Sequence, residues 1–223
     1  MDKMDGMDKN GLLNGQWTMD EGLLRPCPVR VPSVSRPCPV RVPSVFMQIS
    51  SRPAAFLDRD GTLIADVPYL KNPEEVVVPS EVIEGLHLLR KAGFLLIIIS
   101  NQSGIARGYF TEDDLAAVHA RMEQLLLEGG IELDGYYYCP HAPDSCCCRK
   151  PATGMLEQAC LDFSIDLSRS CMIGDNDCDM QLAKNFKIPG LLLESKRETN
   201  RKLPTRICSN FLEAARLAVS GIE

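Results

Sequence analysis

Phe94 to Ile99 reads Phe-Leu-Leu-Ile-Ile-Ile, an unbroken apolar run with no residue to turn toward water. A strand sends successive side chains to opposite faces, so such a run needs cover on both sides. A parallel sheet between two helical layers meets that need, and the flanking sequence supplies the helices. Apolar residues Val82, Ile83, Leu86, Leu89 and Ala92 give a helical spacing over Glu81 to Ala92, closed by Gly93. Thr111 opens a second helix as N-cap, with Asp114 three residues on, and Gly129-Gly130 ends it after Glu128. Further strands are expected at Ala54 to Leu57, Tyr136 to Tyr138, Cys171 to Ile173 and, as the last, Leu191 to Leu193. Helices are expected at Gly154 to Phe163, Met180 to Asn185 and Asn210 to Val219. The expected fold class is therefore α/β, a Rossmann-like, mostly parallel sheet with helices on both faces. Ligands bind such sheets beyond the carboxyl ends of the strands, where this chain places Asp58, Ser100 and Asp175.

The chain has 223 residues, enough to bury a core without disulfides or oligomerisation. Its net charge of -6 argues against a general nucleic-acid binder, which needs a basic face. No apolar run approaches the roughly 20 residues of a membrane span, and no secretory leader pattern opens the sequence. A cytoplasmic protein is expected. Residues 1–50 differ from the rest. Arg-Pro-Cys-Pro-Val-Arg-Val-Pro-Ser-Val at 25–34 is duplicated at 36–45, and the prolines forbid a helix and remove ladder donors. A solvated, proline-rich extension is expected there, with the folded domain at 51–223.

Asp58-Arg59-Asp60-Gly61-Thr62 directly follows the first strand. Two carboxylates one residue apart, followed by a turn-permitting glycine, can face one small volume. Their repulsion is relieved by a hard divalent cation such as Mg2+. After the second strand comes Ser100-Asn101-Gln102-Ser103-Gly104, whose hydroxyls, amides and glycine-exposed N–H groups suit phosphate oxygens. Arg149-Lys150-Pro151 precedes a helix, and a lysine there can neutralise a phosphoryl group. Gly174-Asp175-Asn176-Asp177-Cys178-Asp179 follows another strand; Asp175 completes an Mg2+ shell, and Asp179 either orients a neighbour or caps the helix.

Four of the ten cysteines fall between Cys139 and Cys148, and Cys139-Pro140-His141 with Cys146-Cys147-Cys148 has the spacing of metal ligands rather than disulfides. Three thiolates and an imidazole close a tetrahedral Zn2+ shell with no open position, so this metal is structural. Residues i and i+2 point the same way in extended chain, which favours Cys146 and Cys148 and leaves Cys147 outward.

Together these segments resemble one branch of the haloacid dehalogenase superfamily, the D-glycero-D-manno-heptose 1,7-bisphosphate 7-phosphatases and related histidinol-phosphatases. The resemblance runs from Phe56 to about Leu193 and is most specific where the zinc loop enters Cys148-Arg149-Lys150-Pro151. It implies a capless, monomeric phosphatase acting on a small phosphorylated sugar, with Asp58 as nucleophile and Asp60 as general acid and base. It implies Mg2+ on Asp58, the Asp60 carbonyl and Asp175, and phosphate held by Ser100 and Lys150. Substrate contacts are implied for Asp66, Tyr69, Asn101, Gln102, Ser103, Arg149 and position 176. Heptose phosphatases usually carry Lys at that last position and histidinol-phosphatases Arg, whereas this chain has Asn176. Arg149 beside Lys150 suits the second phosphate of a bisphosphate. The competing expectations are histidinol phosphate as substrate and a non-catalytic, zinc-stabilised binding module.

Overall fold

The structure is a computed structural model and describes residues 51–194 and 206–221. The duplicated segment therefore lies outside the described residues. In chain order the elements are β1 (Ala54–Leu57), α1 (Ser80–Lys91), β2 (Leu95–Asn101), α2 (Glu112–Glu128), β3 (Gly135–Cys139), α3 (Gly154–Asp162), β4 (Cys171–Gly174), α4 (Asp177–Phe186), β5 (Gly190–Leu193), β6 (Arg206–Cys208) and α5 (Phe211–Ser220). The strands form one sheet in the order β3-β2-β1-β4-β5-β6, and every pairing is parallel.

The strand alternation divides the core as the apolar run in β2 requires. Leu96 and Ile98, with Ala55 and Leu57 of β1, pack on the face covered by α1, α2 and α5. Leu95, Ile97 and Ile99, with Ala54 and Phe56, pack on the opposite face with Met155, Leu156, Met180 and Leu182 of α3 and α4. All four β1 residues are fully buried, which fixes the central strand and hence the position of the loop that leaves it.

The helices start where their caps do. Thr111 and Asp114 form the expected capping box at α2. Asn210 caps α5 by accepting from Glu213 N–H, so that helix begins one residue later than the pattern suggests. The helix expected at Met180 to Asn185 instead begins at Asp177, because Asn176 and Asp179 make a second capping box and draw in the polar first turn. Leu191 to Leu193 is not the last strand: β6 pairs with β5 at the sheet edge, and its Arg-Ile-Cys sequence is too short and too polar to read as a strand from periodicity. No helix among the described residues is long and apolar enough to cross a membrane.

This strand order sends the chain outward from β1 through β2 to β3, then back to β4 beside β1 and out the other way. The loops after β1 and β4 therefore diverge at the reversal point and leave a crevice between them. Asp58 and Asp175 stand at its two sides.

Candidate functional site

Loop geometry after β1 brings the chain back over the strand ends. Asp58 N–H donates to the Ile173 carbonyl, and Arg59 O accepts from Leu63 and Ile64, making a tight turn. Gly61 sits in that turn at φ 84°, where a side chain is strained, and a Cβ there would come within 2.4 Å of Asp175 Oδ2. Gly174 faces a similar limit, since a Cβ would meet Asp179 at 2.5 Å. These two glycines let the three carboxylates Asp58, Asp175 and Asp179 converge, with oxygens within 4.8 Å of one another.

Lys150 reaches the same volume from the loop before α3. Its Nζ donates to Asp58 Oδ1 at 2.5 Å, Asp179 Oδ1 at 2.6 Å and the Ile99 carbonyl at 2.8 Å. All three of its donors are thus used inside the protein, so contact with phosphate requires an exchange rather than a free N–H. Burial works against the lysine charge, but Asp179 and Asp58 outweigh it and hold the ammonium firmly protonated. Burial likewise pushes the Asp58 carboxyl up to about 7, with Lys150 pulling the other way and Asp179 and Asp60 adding to the rise. With all four ionised, the carboxylates Asp58, Asp60, Asp175 and Asp179 would exceed the two cations Lys150 and Arg59 by two negative charges, which burial disfavours at Asp58. A divalent cation such as Mg2+ matches that excess, and oxygen-only donors suit it. Asp179, assigned no ligand role by the sequence, joins the carboxylate group, whereas the Asp60 side chain turns away toward Arg59 and Gln102.

Residues of the loop after β2 divide into two sets. Ser100 Oγ is 1% exposed and accepts from Gln102 Nε2 at 2.7 Å, which leaves its hydroxyl proton free to donate outward. Ser103 is half-buried on the same turn. Asn101 and Gln102, expected to touch substrate, bind neighbouring loops. Asn101 clamps the Lys150 backbone from both sides, Oδ1 accepting from its N–H at 2.9 Å and Nδ2 donating to its carbonyl at 3.1 Å. Gln102 gives its backbone N–H to Cys139 and its amide to Ser100 and Asp60. Both side chains serve the protein because two loops must be joined at the strand ends, a demand that spacing along one loop does not reveal. Asn176 is also bound within the protein: its side-chain oxygen accepts from Cys178 N–H to cap α4.

The outer rim contains the remaining expected contacts. Tyr69 adopts φ 52°, meets Tyr109 edge-on at 4.4 Å and accepts at its hydroxyl from Arg107 Nη1 at 3.1 Å. Asp66 lies on the other side, lining a cavity of about 410 Å³ with Gly61, Thr62 and Asp175. Arg149 has a buried Nη1 with no hydrogen-bond partner.

Cys139, His141, Cys146 and Cys148 converge at the end of β3, with donor atoms within 4.8 Å. Cys139 Sγ lies 3.4 Å from Cys146 Sγ and 3.6 Å from His141 Nδ1, while Cys148 Sγ lies 3.2 Å from Cys146 and 3.5 Å from His141. Tetrahedral Zn–S bonds of roughly 2.3 Å imply S···S edges of about 3.8 Å, so this donor set fits the ion with little adjustment. The Cys139 thiol is drawn down to about 5, chiefly by Cys148, toward the thiolate that metals bind. Cys147 is exposed and stands outside the group, as the alternation in extended chain requires.

Comparisons with known proteins find similar sequences and a similar fold. The family model described as polynucleotide kinase 3 phosphatase matches residues 53–192. A D-glycero-beta-D-manno-heptose-1,7-bisphosphate 7-phosphatase of Photorhabdus laumondii is 45% identical over 144 residues, covering 61% of this chain and 77% of its own length. A D-glycero-alpha-D-manno-heptose-1,7-bisphosphate 7-phosphatase of the same organism is 37% identical over 175 residues, covering 74% of this chain and 96% of its own. Among solved structures, D,D-heptose 1,7-bisphosphate phosphatase from B. bronchiseptica, complexed with magnesium and phosphate, matches with a TM-score of 0.68 and 29% identity, covering 75% of this chain and 98% of that one.

Proposed function

Because the chain belongs to the polynucleotide kinase 3 phosphatase family, in the heptose-bisphosphate phosphatase branch of the haloacid dehalogenase superfamily, we propose that it is a Mg2+-dependent sugar-phosphate phosphatase whose substrate is D-glycero-D-manno-heptose 1,7-bisphosphate, cleaved at the 7-position. The observation that carries this reading is the buried cluster in which Lys150 spans Asp58 and Asp179 beside Asp175, with Asp60 at its edge. An Asp58 oxygen attacks phosphorus, the bond from phosphorus to the sugar oxygen breaks, and Asp60 gives that oxygen a proton. Asp60 then takes a proton from water, the water oxygen attacks phosphorus, and the bond to Asp58 breaks. Ser100 donates its free hydroxyl proton to a phosphate oxygen, and Lys150 supplies charge in a site where burial magnifies it. Asp58, Asp175 and the Asp60 carbonyl would hold Mg2+, which would supply positive charge beside nucleophile and phosphate. Cys139, His141, Cys146 and Cys148 would hold a structural zinc with no open position, tying down the loop that leads from β3 to Arg149 and Lys150. We therefore expect Cys147→Ser to retain about one zinc per chain and Cys146→Ser to lose it, as metal analysis of chelator-free protein reads directly.

The substrate rests on the rim. Arg149, with a buried and unpartnered Nη1, is suited to bind the second phosphate through a guanidinium fork. A bisphosphate therefore gains where histidinol phosphate, cationic at its other end, gains nothing. The test is kcat/KM for the heptose bisphosphate, histidinol phosphate and simple sugar phosphates, each with Mg2+; a preference for histidinol phosphate overturns the substrate assignment. Asn176→Lys adds a charge near the phosphate site but removes the α4 cap, which costs about 1 kcal/mol. It is expected to lower the melting temperature while raising kcat/KM for the bisphosphate selectively.

A further inference from the structure

Arg59 lies between the two carboxylates of the first loop, and it heads the largest fully buried side chains among the described residues, at 1% exposed. Its Nη2 donates to Asp60 Oδ1 at 2.9 Å and its Nε is shared between both Asp60 oxygens at 3.1 and 3.2 Å. On its inner side lies Tyr136, itself stacked on His119 at 3.8 Å with the rings 12° apart and 5.6 Å from Tyr138. The guanidinium therefore meets the Tyr136 hydroxyl as well as the Asp60 carboxylate. Burying such an ion pair is costly, and replacing it with apolar residues is often neutral or stabilising, so fold stability alone is a poor reason for it. Gln102 Nε2 adds a bond of 2.8 Å to Asp60 Oδ2. The three N–H groups thus make four contacts, two on each Asp60 oxygen, and hold the carboxyl in one orientation.

We propose that Arg59 is a positioning residue: it fixes the Asp60 carboxyl in the orientation from which its proton reaches the departing sugar oxygen. The inference rests on the phosphatase reading and on Asp60 carrying the proton in it. Arg59 touches no reacting atom. It acts through orientation, so that the Asp60 proton forms its new O–H bond to the sugar oxygen as the P–O bond breaks.

That role has a signature that loss of packing lacks. A sugar alkoxide leaves only with a proton, whereas 4-nitrophenolate leaves without one. The quantity to follow is kcat/KM, which covers steps only as far as leaving-group departure and so omits later hydrolysis of the phosphorylated aspartate. Arg59→Met should lower kcat/KM for the sugar bisphosphate by about 100-fold, at the low end of general acid catalysis, and for 4-nitrophenyl phosphate by less than about tenfold. In an Asp60→Asn background, Arg59→Met should then add little, because both changes remove the same interaction. Arg59→Lys keeps the charge without the fork and should show the same discrimination at smaller size, which serves if the methionine variant folds poorly. Equal losses on both substrates, or full additivity with Asp60→Asn, overturn the positioning role while leaving the phosphatase reading intact. A wild-type enzyme that hydrolyses neither compound with Mg2+ overturns both.

Discussion

Asp58→Asn abolishes turnover of the sugar bisphosphate and of aryl phosphates alike, by on the order of 10^5-fold or more, as removal of a nucleophile does in other covalent mechanisms. The fold survives, because what the substitution removes is a charge the protein holds at a cost. Burial and the neighbouring Asp179 and Asp60 disfavour ionised Asp58, and only Lys150 supports it. Lys150 keeps Asp179 and the Ile99 carbonyl as partners when Asp58 becomes an amide. The melting temperature of the metal-free variant should accordingly equal or exceed that of the wild type, with zinc content unchanged. Residual kcat/KM above a thousandth of wild type would remove Asp58 from the nucleophile role.

Cys139→Ser has the second-largest expected effect, through a different route. Cys139 is fully buried at the end of β3, next to the carbonyl that receives Gln102 N–H and within reach of three other ligands. Its loss opens the tetrahedral group, so the chain should retain less than about a tenth of the zinc and unfold at lower temperature. Activity falls as well, since loop 140–149 leads directly into Lys150, and misplacement by about 1 Å can cost 100-fold. The Asn101 clamp on the Lys150 backbone limits that loss, so Asn101→Ala combined with Cys139→Ser should lose more than the product of the single effects. Zinc content and kcat/KM measured on the same preparations check both statements. Full activity in zinc-free Cys139→Ser would show that the metal has no part in placing Lys150.

The convergence of Asp58 with Asp175, and of Cys139 and His141 with Cys146 and Cys148, was legible because each residue stands where a local rule applies. A residue at the end of an apolar strand must face the crevice of a parallel sheet, and i, i+2 alternation sends Cys146 and Cys148 inward together. Choosing Cys146 over Cys147 needed nothing beyond that alternation, and the exposure of Cys147 agrees with it. β6 and the early start of α4 escaped the same rules. One is a short, polar edge strand with no periodicity, and the other opens on a polar first turn that only capping geometry marks as helical.

Which polar residues gather at the strand ends, and the alternation of most strands with helices, were therefore determined by the sequence itself, because burial periodicity and strand-end position are local properties of the chain. What each polar side chain does was decided by tertiary structure. Asn101 and Lys150 are 49 positions apart, Gln102 and Asp60 are 42, and Lys150 and Asp58 are 92. Buried donors and acceptors must find partners, and at the strand ends the nearest ones belong to other loops. Asn101 and Gln102 thus became supports of other loops, and Asp179 became a partner of Lys150. Arg59, unremarkable in sequence as the residue between two acids, became a buried guanidinium on Asp60 because the sheet left it no route to water.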